Sequence, residues 1–426
     1  MNTPQQFKFA VFGAGNRGNW FANWIKQHPE YGKVVAVAEP DEERRTPFAR
    51  AHAIAPALTF ECWEELLAQP KLCDVIINTT LDPLHAASTI GALGKGYHVM
   101  LEKPMAPTLK ECVAVDRARR ESNCFVSICH GTYSPGVVAL RALLEERLIG
   151  RVLSFDVLHG VDHLHHAAAF VRGVMGREAA CSSMLLQKCS HDFDGFRYLF
   201  GKKCLRVASF GELTYFRREN APEGAPEHCI DGCPAEASCP YSTNKVYEGP
   251  NPHWTSYFLA GKTPQQRREI LSSTPVGRCV FKCSNDVVDH QVVSMQYEDD
   301  LTGTFTMTGL APVGACVRVR IHGTRGMIEL GSDAAEGLHH HCFVEGTHRR
   351  IKLPEGDGSH GGTDANFVVN FVDALRANDP TLILSGTAEA LESHRVVFAA
   401  ERSRQTRRMV ELAEMQSAEN LTANLK

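Results

Sequence analysis

No stretch of this chain is apolar for the about 20 residues that a membrane-spanning helix needs. Excess charge is missing as well. Lys and Arg number 45 against 49 Asp and Glu, a formal net charge of −4, so no basic field favours nucleic acid or an anionic membrane surface. Met1 to Phe7 shows no basic segment leading into an apolar one, so secretion is not expected and a cytoplasmic protein is. Also absent is the familiar C-x-x-C pair. What is present is a hydrophobic share of 43% and a charged share of 22%, ordinary for a soluble globular enzyme. At 426 residues, two domains are expected. The 15 cysteines are an odd and rather high number, and in a cytoplasmic setting they read as reduced thiols or metal ligands.

The most informative segment comes early. Lys8 to Phe12 forms a short apolar run that ends in Gly13-Ala14-Gly15-Asn16-Arg17-Gly18, and Trp20, Phe21, Trp24 and Ile25 follow at helical spacing. Strand, glycine turn and helix in that order define a dinucleotide-binding unit. Gly13 permits the tight turn, Gly15 admits a pyrophosphate to the backbone, and Gly18 lets helix and strand pack closely. The helix start, with Asn16 and Arg17, offers N–H groups to the phosphates. Val34 to Ala38 is a second buried strand, and it ends in Glu39 about twenty residues past Gly18, where an acid receives the ribose hydroxyls. A carboxylate there repels a 2′-phosphate, so NAD is expected over NADP. Arg44 and Arg45 read as a solvated helix face.

The alternation then continues. Trp63 to Leu67 and His85 to Leu93 have helical spacing, while 74–78, 97–101 and 124–129 read as strands, which together give a parallel sheet. Ligands gather at the carboxyl ends of such strands. Asn78, Thr79, Glu102, Lys103 and His130 lie there, and Asn78, Thr79, Glu102 and Lys103, with His85 from the following helix, join the candidate cofactor contacts.

Glu102-Lys103-Pro104 directly after a buried strand, with the glycine turn and Glu39, resembles the glucose–fructose oxidoreductase, inositol dehydrogenase and MocA-type family over almost the whole chain. The resemblance implies an α/β protein: an N-terminal Rossmann domain with a doubly wound parallel sheet (1–130), then a C-terminal α/β domain with an open, mainly antiparallel sheet (131–415) and a short tail (416–426). It places the lysine of the E-K-P motif between nicotinamide and substrate, beside a proline often preceded by a cis bond. It also implies a helix with an acid and, four residues on, a histidine. The matching stretch runs from Leu185 to Asp194, with His191 at the histidine and Gln187 where the acid is expected. Lys188 shares a helical face with His191. Lys103, His191 and Lys188 are thus the candidate catalytic residues. Candidate substrate contacts are Lys103, His130, Lys188 and His191, joined by His165 and Arg172 from the His163-Leu164-His165-His166 and Phe170-Val171-Arg172 group. The later His339-His340-His341 run reads as an exposed turn.

Residues 216–252 change character: rich in Pro, Gly, Glu and Cys and without a period, they read as a long insert. Cys229, Cys233 and Cys239 each sit in a turn-forming context, and Cys279 and Cys283 follow. Cys229, Cys233, Cys239 and Cys283 are the expected ligand set of a structural zinc or an iron–sulfur centre, with buried reduced thiols as the alternative.

Beyond the insert, 293–297, 303–307 and 317–323 alternate as strands, and 366–376 and 388–412 read as helices. The resembling family suggests that the sheet face pairs subunits as a homodimer or homotetramer. The expected function is an NAD(H)-dependent oxidoreductase acting on a carbinol of a sugar, sugar derivative or polyol. Two other readings remain open: an NAD-dependent glycosidase working by transient oxidation and elimination, and a non-catalytic NAD(H) or redox sensor.

Overall fold

The computed structural model describes residues 5–249, 252–259, 261–314, 316–331, 337–354, 356 and 359–416, without the side chains of 257, 258, 359 and 360. The expected tail from 417 onward lies outside them.

The first half alternates as its apolar pattern requires. Strands β1 (Phe7–Phe12), β2 (Gly32–Ala38), β3 (Thr59–Phe60), β4 (Val75–Asn78), β5 (His98–Leu101) and β6 (Val126–Ile128) pair in parallel in the order β3-β2-β1-β4-β5-β6. Phe9 to Phe12 of β1 are buried on both faces, as a central parallel strand demands. Helices α1 (Asn16–Gln27), α2 (Glu42–Ala51), α3 (Trp63–Ala68), α4 (Asp82–Gly94) and α5 (Leu109–Glu121) form the crossovers, and α6 (Pro135–Glu145) leads out of the domain.

The second sheet is mixed. It comprises β7 (Val152–Asp162), β8 (Cys204–Glu212), β9 (His290–Tyr297), β10 (Thr302–Ala311), β11 (Cys316–Gly323), β12 (Gly326–Leu330), β13 (Leu338–Cys342), β14 (Thr347–Ile351) and β15 (Val410–Glu411). Their order is β14-β13-β12-β11-β7-β10-β9-β8-β15, antiparallel except where β10 meets β7. Between β7 and β8 lie α7 (His163–His166) and α8 (Met184–Phe200); the insert adds α9 (Thr243–Glu248), and α10 (Pro264–Ser273) follows it. Helix α8 is capped by Ser183, whose side chain accepts from the Leu186 N–H, and it ends at Gly201 in the left-handed region. Its apolar face packs Phe193 and Phe196 against Phe155 and Phe305 of the sheet. Each such buried ring stabilises by about 1.5–3 kcal/mol.

Two late helices return to the first domain. Phe367 and Phe371 of α11 (Thr363–Ala377) join the core with Phe9 and Phe21. Helix α12 (Thr387–Thr406) packs on both α5 and α8. Its His394 Nε2 accepts from the Met105 N–H at 3.0 Å, and Thr387 donates to Asp116 at 2.8 Å.

Two sequence expectations need correction here. The helix expected over 388–412 stops at Thr406, where Arg407 turns left-handed (φ 54°) and the chain joins the sheet as β15. The run 339–341 is not an exposed turn but strand β13, with His340 buried between its neighbours. Identical residues hide the alternation that marks a strand.

Candidate active site

The glycine turn has the shape its composition calls for. Gly13 has φ +87°, and a Cβ there would stand 2.6 Å from the Thr79 carbonyl oxygen. A Cβ at Gly18 would lie 2.1 Å from the Gly13 oxygen, whereas Gly15 faces open space. Gly15 also begins α1 with no side-chain cap, which leaves the first N–H groups to a ligand. Glu39, at the end of β2, accepts from the Ala14 N–H at 2.7 Å and the Asp41 N–H at 3.0 Å, which fixes its carboxylate beside the turn. Arg44 is paired with Asp41 at 3.2 Å, and Arg45 with Glu61 at 3.3 Å and with the Glu39 carbonyl at 2.6 Å. The open Gly15 backbone, the helix start and the fixed acid fit an adenine dinucleotide.

Several residues expected to touch the cofactor hold hydrogen bonds around this cradle. Thr79 donates to the Phe12 and Gly13 carbonyls at 3.0 and 2.7 Å. Asn78 is fully buried, donating to Ser88 and Thr89 at 2.8 and 3.0 Å. His85 bridges the Pro104 and Thr80 carbonyls at 2.7 and 3.1 Å. The guanidinium of Arg17 is held by Glu102 at 2.5 Å and by both carboxylate oxygens of Asp364 at 2.6 and 2.8 Å. Burial opposes its charge, but these carboxylates more than offset that and raise its pKa.

The E-K-P turn carries a cis Lys103–Pro104 bond. From it Lys103 reaches into the second domain, its Nζ donating to the Gln187 carbonyl of α8 at 2.7 Å. Gln187 occupies the position where an acid was expected, and its side-chain amide donates to Asp82 at the start of α4. A carboxylate is therefore present, supplied by the other domain. One turn further along α8, His191 packs against Gly131, where a Cβ would stand in ordinary contact at 3.4 Å from the His191 Cβ. Next to it, Asp192 pairs with His159 of β7 at 2.9 Å.

Lys188 opens onto a cleft of about 280 Å³ that His159, Asp162, His165 and Trp254 also line. Burial, with Lys103 nearby, lowers the Lys188 pKa to about 8. Burial and Lys188 lower that of His165 to about 3, which keeps it neutral. Asp162 accepts from His253 at 3.0 Å and from the Leu164 N–H at 2.8 Å, and the Trp254 ring meets His165 edge-on at 4.8 Å. Sequence reasoning missed Asp82, His159, Asp162, Asp192 and Trp254 as parts of this site; among these, only Asp192 carried a local signal, being the residue after His191.

Two expected substrate contacts lie elsewhere. His130 is fully enclosed, between Ser385 at 2.9 Å and Asp194 at 3.6 Å, and its burial holds its pKa down. Arg172 is drawn into the insert, donating to the Arg278 and Tyr241 carbonyls at 2.8 Å each. There it lines a second cavity with Cys229, Cys233, Cys239 and Cys279. Cys283, expected as the fourth ligand, donates instead to the Cys279 carbonyl at 3.4 Å, and Cys279 takes its place on the cavity wall.

A parallel nucleotide-binding sheet, a lysine after its β5 strand and a second domain whose α8 that lysine meets define a nicotinamide-dependent oxidoreductase. The chain belongs to the family described as an oxidoreductase family with an NAD-binding Rossmann fold, matched over residues 7–130, and with a C-terminal α/β domain, matched over 141–412. It is 24% identical over 358 residues to the putative oxidoreductase YteT of Bacillus subtilis, covering 79% of this chain and 80% of that one. It is 25% identical over 254 residues to 1,5-anhydro-D-fructose reductase of Ensifer adhaerens, covering 59% and 73%. Among solved structures, a levoglucosan dehydrogenase in complex with NADH superposes with a TM-score of 0.71 at 18% identity, covering 96% of this chain and 99% of that one. Among the described residues, no helix is long and apolar enough to cross a membrane.

Proposed function

We propose that the protein transfers a hydride between NAD(H) and a carbinol carbon of a sugar, sugar derivative or polyol. The observation that carries this reading is the meeting of Lys103 from one domain with α8 of the other, beside the Lys188 cleft. The bound nicotinamide supplies the hydride acceptor or donor; the chain's own groups handle the proton and the substrate oxygens. The cleft lies near the lower end of the range for small-molecule pockets, about 300–1,000 Å³, which suits a monosaccharide-sized substrate.

Lys103 uses one of its three donors on the Gln187 carbonyl, and a second orients the substrate hydroxyl. His191 accepts the hydroxyl proton. Lys188, still mostly protonated at neutral pH despite its lowered pKa, donates to a neighbouring substrate oxygen. Neutral His165 accepts or donates a hydrogen bond to another hydroxyl. Glu39, and the engagement of Arg44 and Arg45 by acids, support NAD over NADP. Phe210, Val292 and Leu310, exposed on β8, β9 and β10, support pairing of sheets in a homodimer or homotetramer. The small negative net charge supports a cytoplasmic reading only in giving no basic field for nucleic-acid or membrane partners.

The test is a screen of sugars, uronates, inositols and simple glycosides with NAD, followed for both NADH and aglycone release. Accumulating NADH supports net oxidation. Aglycone release with no net reduction replaces it with the elimination route, and nucleotide binding without turnover replaces both with a sensor. Lys103→Met is expected to lower kcat/KM by ~10²–10⁴ with NADH affinity nearly unchanged; near-normal turnover would remove Lys103 from the mechanism.

A further inference from the structure

The insert folds around sulfur. Cys229 begins a single helical turn (Cys229–Asp231), Cys233 and Cys239 follow in successive turns, and Cys279 arrives from beyond α10, paired to the Glu227 carbonyl through its N–H at 2.8 Å. All four line one cavity, packed among Phe216, Tyr241 and Phe281. Four thiols converging from the 51 residues between Cys229 and Cys279 inclusive are more than a small apolar cluster needs.

The second observation is a charge. Arg172 is 5% exposed, and its guanidinium faces the same cavity, with Nη2 3.6 Å from the Cys229 sulfur. Its other partners are backbone carbonyls and Tyr247, whose side chain it hydrogen-bonds and whose ring lies 5.8 Å from the guanidinium carbon. Among the described residues no carboxylate forms an ion pair with it. Glu236, also on the cavity wall, accepts instead from Asn244 at 2.7 Å. Arg17, by contrast, is matched by two acids. A buried cation without an anion costs several kcal/mol, and neutral thiols do not supply one.

We propose that Cys229, Cys233, Cys239 and Cys279 hold a metal centre as thiolates, with Arg172 as its buried counter-cation. The ligand chemistry is shared by a mononuclear zinc and an iron–sulfur cluster. Four thiolates around a divalent zinc carry a net charge of −2, which Arg172 offsets in part; binding releases the four thiol protons to solvent and changes no oxidation state. An iron–sulfur cluster would arrive assembled, with the same loss of protons. Among the described residues no three of these sulfurs lie within 4.8 Å of one another. Zinc would draw them to about 3.8 Å, the edge of a tetrahedron with 2.3 Å bonds, whereas a polynuclear cluster holds its cysteines further apart.

The full-length protein, purified without oxygen, is analysed for zinc, iron and acid-labile sulfide, and its visible absorption is recorded. We expect about one zinc per chain, or iron matched by sulfide with charge-transfer absorption. Cys233→Ser and Cys279→Ser lose the metal, and Cys342→Ser, in β13 outside the cavity, keeps it. Arg172→Met yields its metal to a competing chelator at least about tenfold more readily. A folded, metal-free wild-type protein whose four thiols titrate freely overturns the site, as does metal retained by a Cys233→Ser/Cys279→Ser double variant. Unchanged chelator competition in Arg172→Met overturns the counter-cation. Because the wild-type analysis is read without turnover, neither a variant that fails to fold nor failure of the hydride-transfer reading obscures it.

Discussion

Replacing Lys188 with methionine should make the protein more stable and less active. Lys188 lines the cleft with its amine where burial and Lys103 both disfavour a charge, so its pKa falls from 10.5 to about 8. At 1.36 kcal/mol per pH unit, that difference means the protonated amine costs the folded state up to about 3 kcal/mol; water in the cleft screens part of this, leaving about 1–3 kcal/mol. The sign follows from proton counts. Below about pH 8 the lysine is charged in both folded and unfolded chains, and the cost is present in full. Between about 8 and 10.5 the unfolded chain binds more protons than the folded one, so stability rises with pH and the cost disappears. Methionine fills similar space with no charge. In denaturant unfolding at pH 7, Lys188→Met should therefore exceed the wild type by about 1–3 kcal/mol, with the gap closing as the series approaches pH 10. Its kcat/KM should fall, since a substrate oxygen loses its donor. A variant less stable at pH 7, or a gap independent of pH, would refute the reasoning.

The other predictions concern the dinucleotide cradle and the buried acid beside His130. Glu39→Ala should weaken NADH binding by about tenfold to a hundredfold, the value of hydrogen bonds to a charged group, and erode preference over NADPH; fluorescence titrations with both nucleotides that keep the wild-type ratio would contradict the assignment. Asp194 is buried, yet His130, Arg197 at 3.0 Å and Thr132 more than offset the burial and hold its pKa below 3.8. Asp194→Asn should cost about 3–5 kcal/mol at pH 7. The wild type's advantage should shrink as pH falls below 3.8 through the lower folded value. Unfolding midpoints across an acid series would expose a pH-independent difference and so refute the ionic account.

The N-terminal half was legible because its chemistry is local. A buried strand, a glycine turn and a helix occupy contiguous residues, and Glu39 and Lys103 follow at the ends of strands whose apolar runs are plain in the sequence. The second domain was less so, since its site residues are set by contacts far apart in sequence. Nothing near Gln187 announces that Asp82, 105 residues earlier, brings the carboxylate. Arg172 looked like a substrate contact because three histidines precede it, but its partners at Tyr241 and Arg278 lie 69 and 106 residues on. His130 sits at a strand end, where ligands gather, yet Ser385, from the segment that precedes α12, closes over it. Spacing shows which residues share an element; it does not show which distant element will cover them.

The placement of α11 and α12 also sets a condition on how this protein can be made. Phe367, Phe371, Ala390 and Leu391 complete cores that Phe9, Ile76 and Leu101 begin. During synthesis the nucleotide-binding half therefore emerges with part of its apolar surface uncovered, and it stays so until α11 and α12 leave the ribosome. Cutting the chain between the two sheets would not release two finished domains. The nucleotide-binding domain is translated well before the helices that seal it.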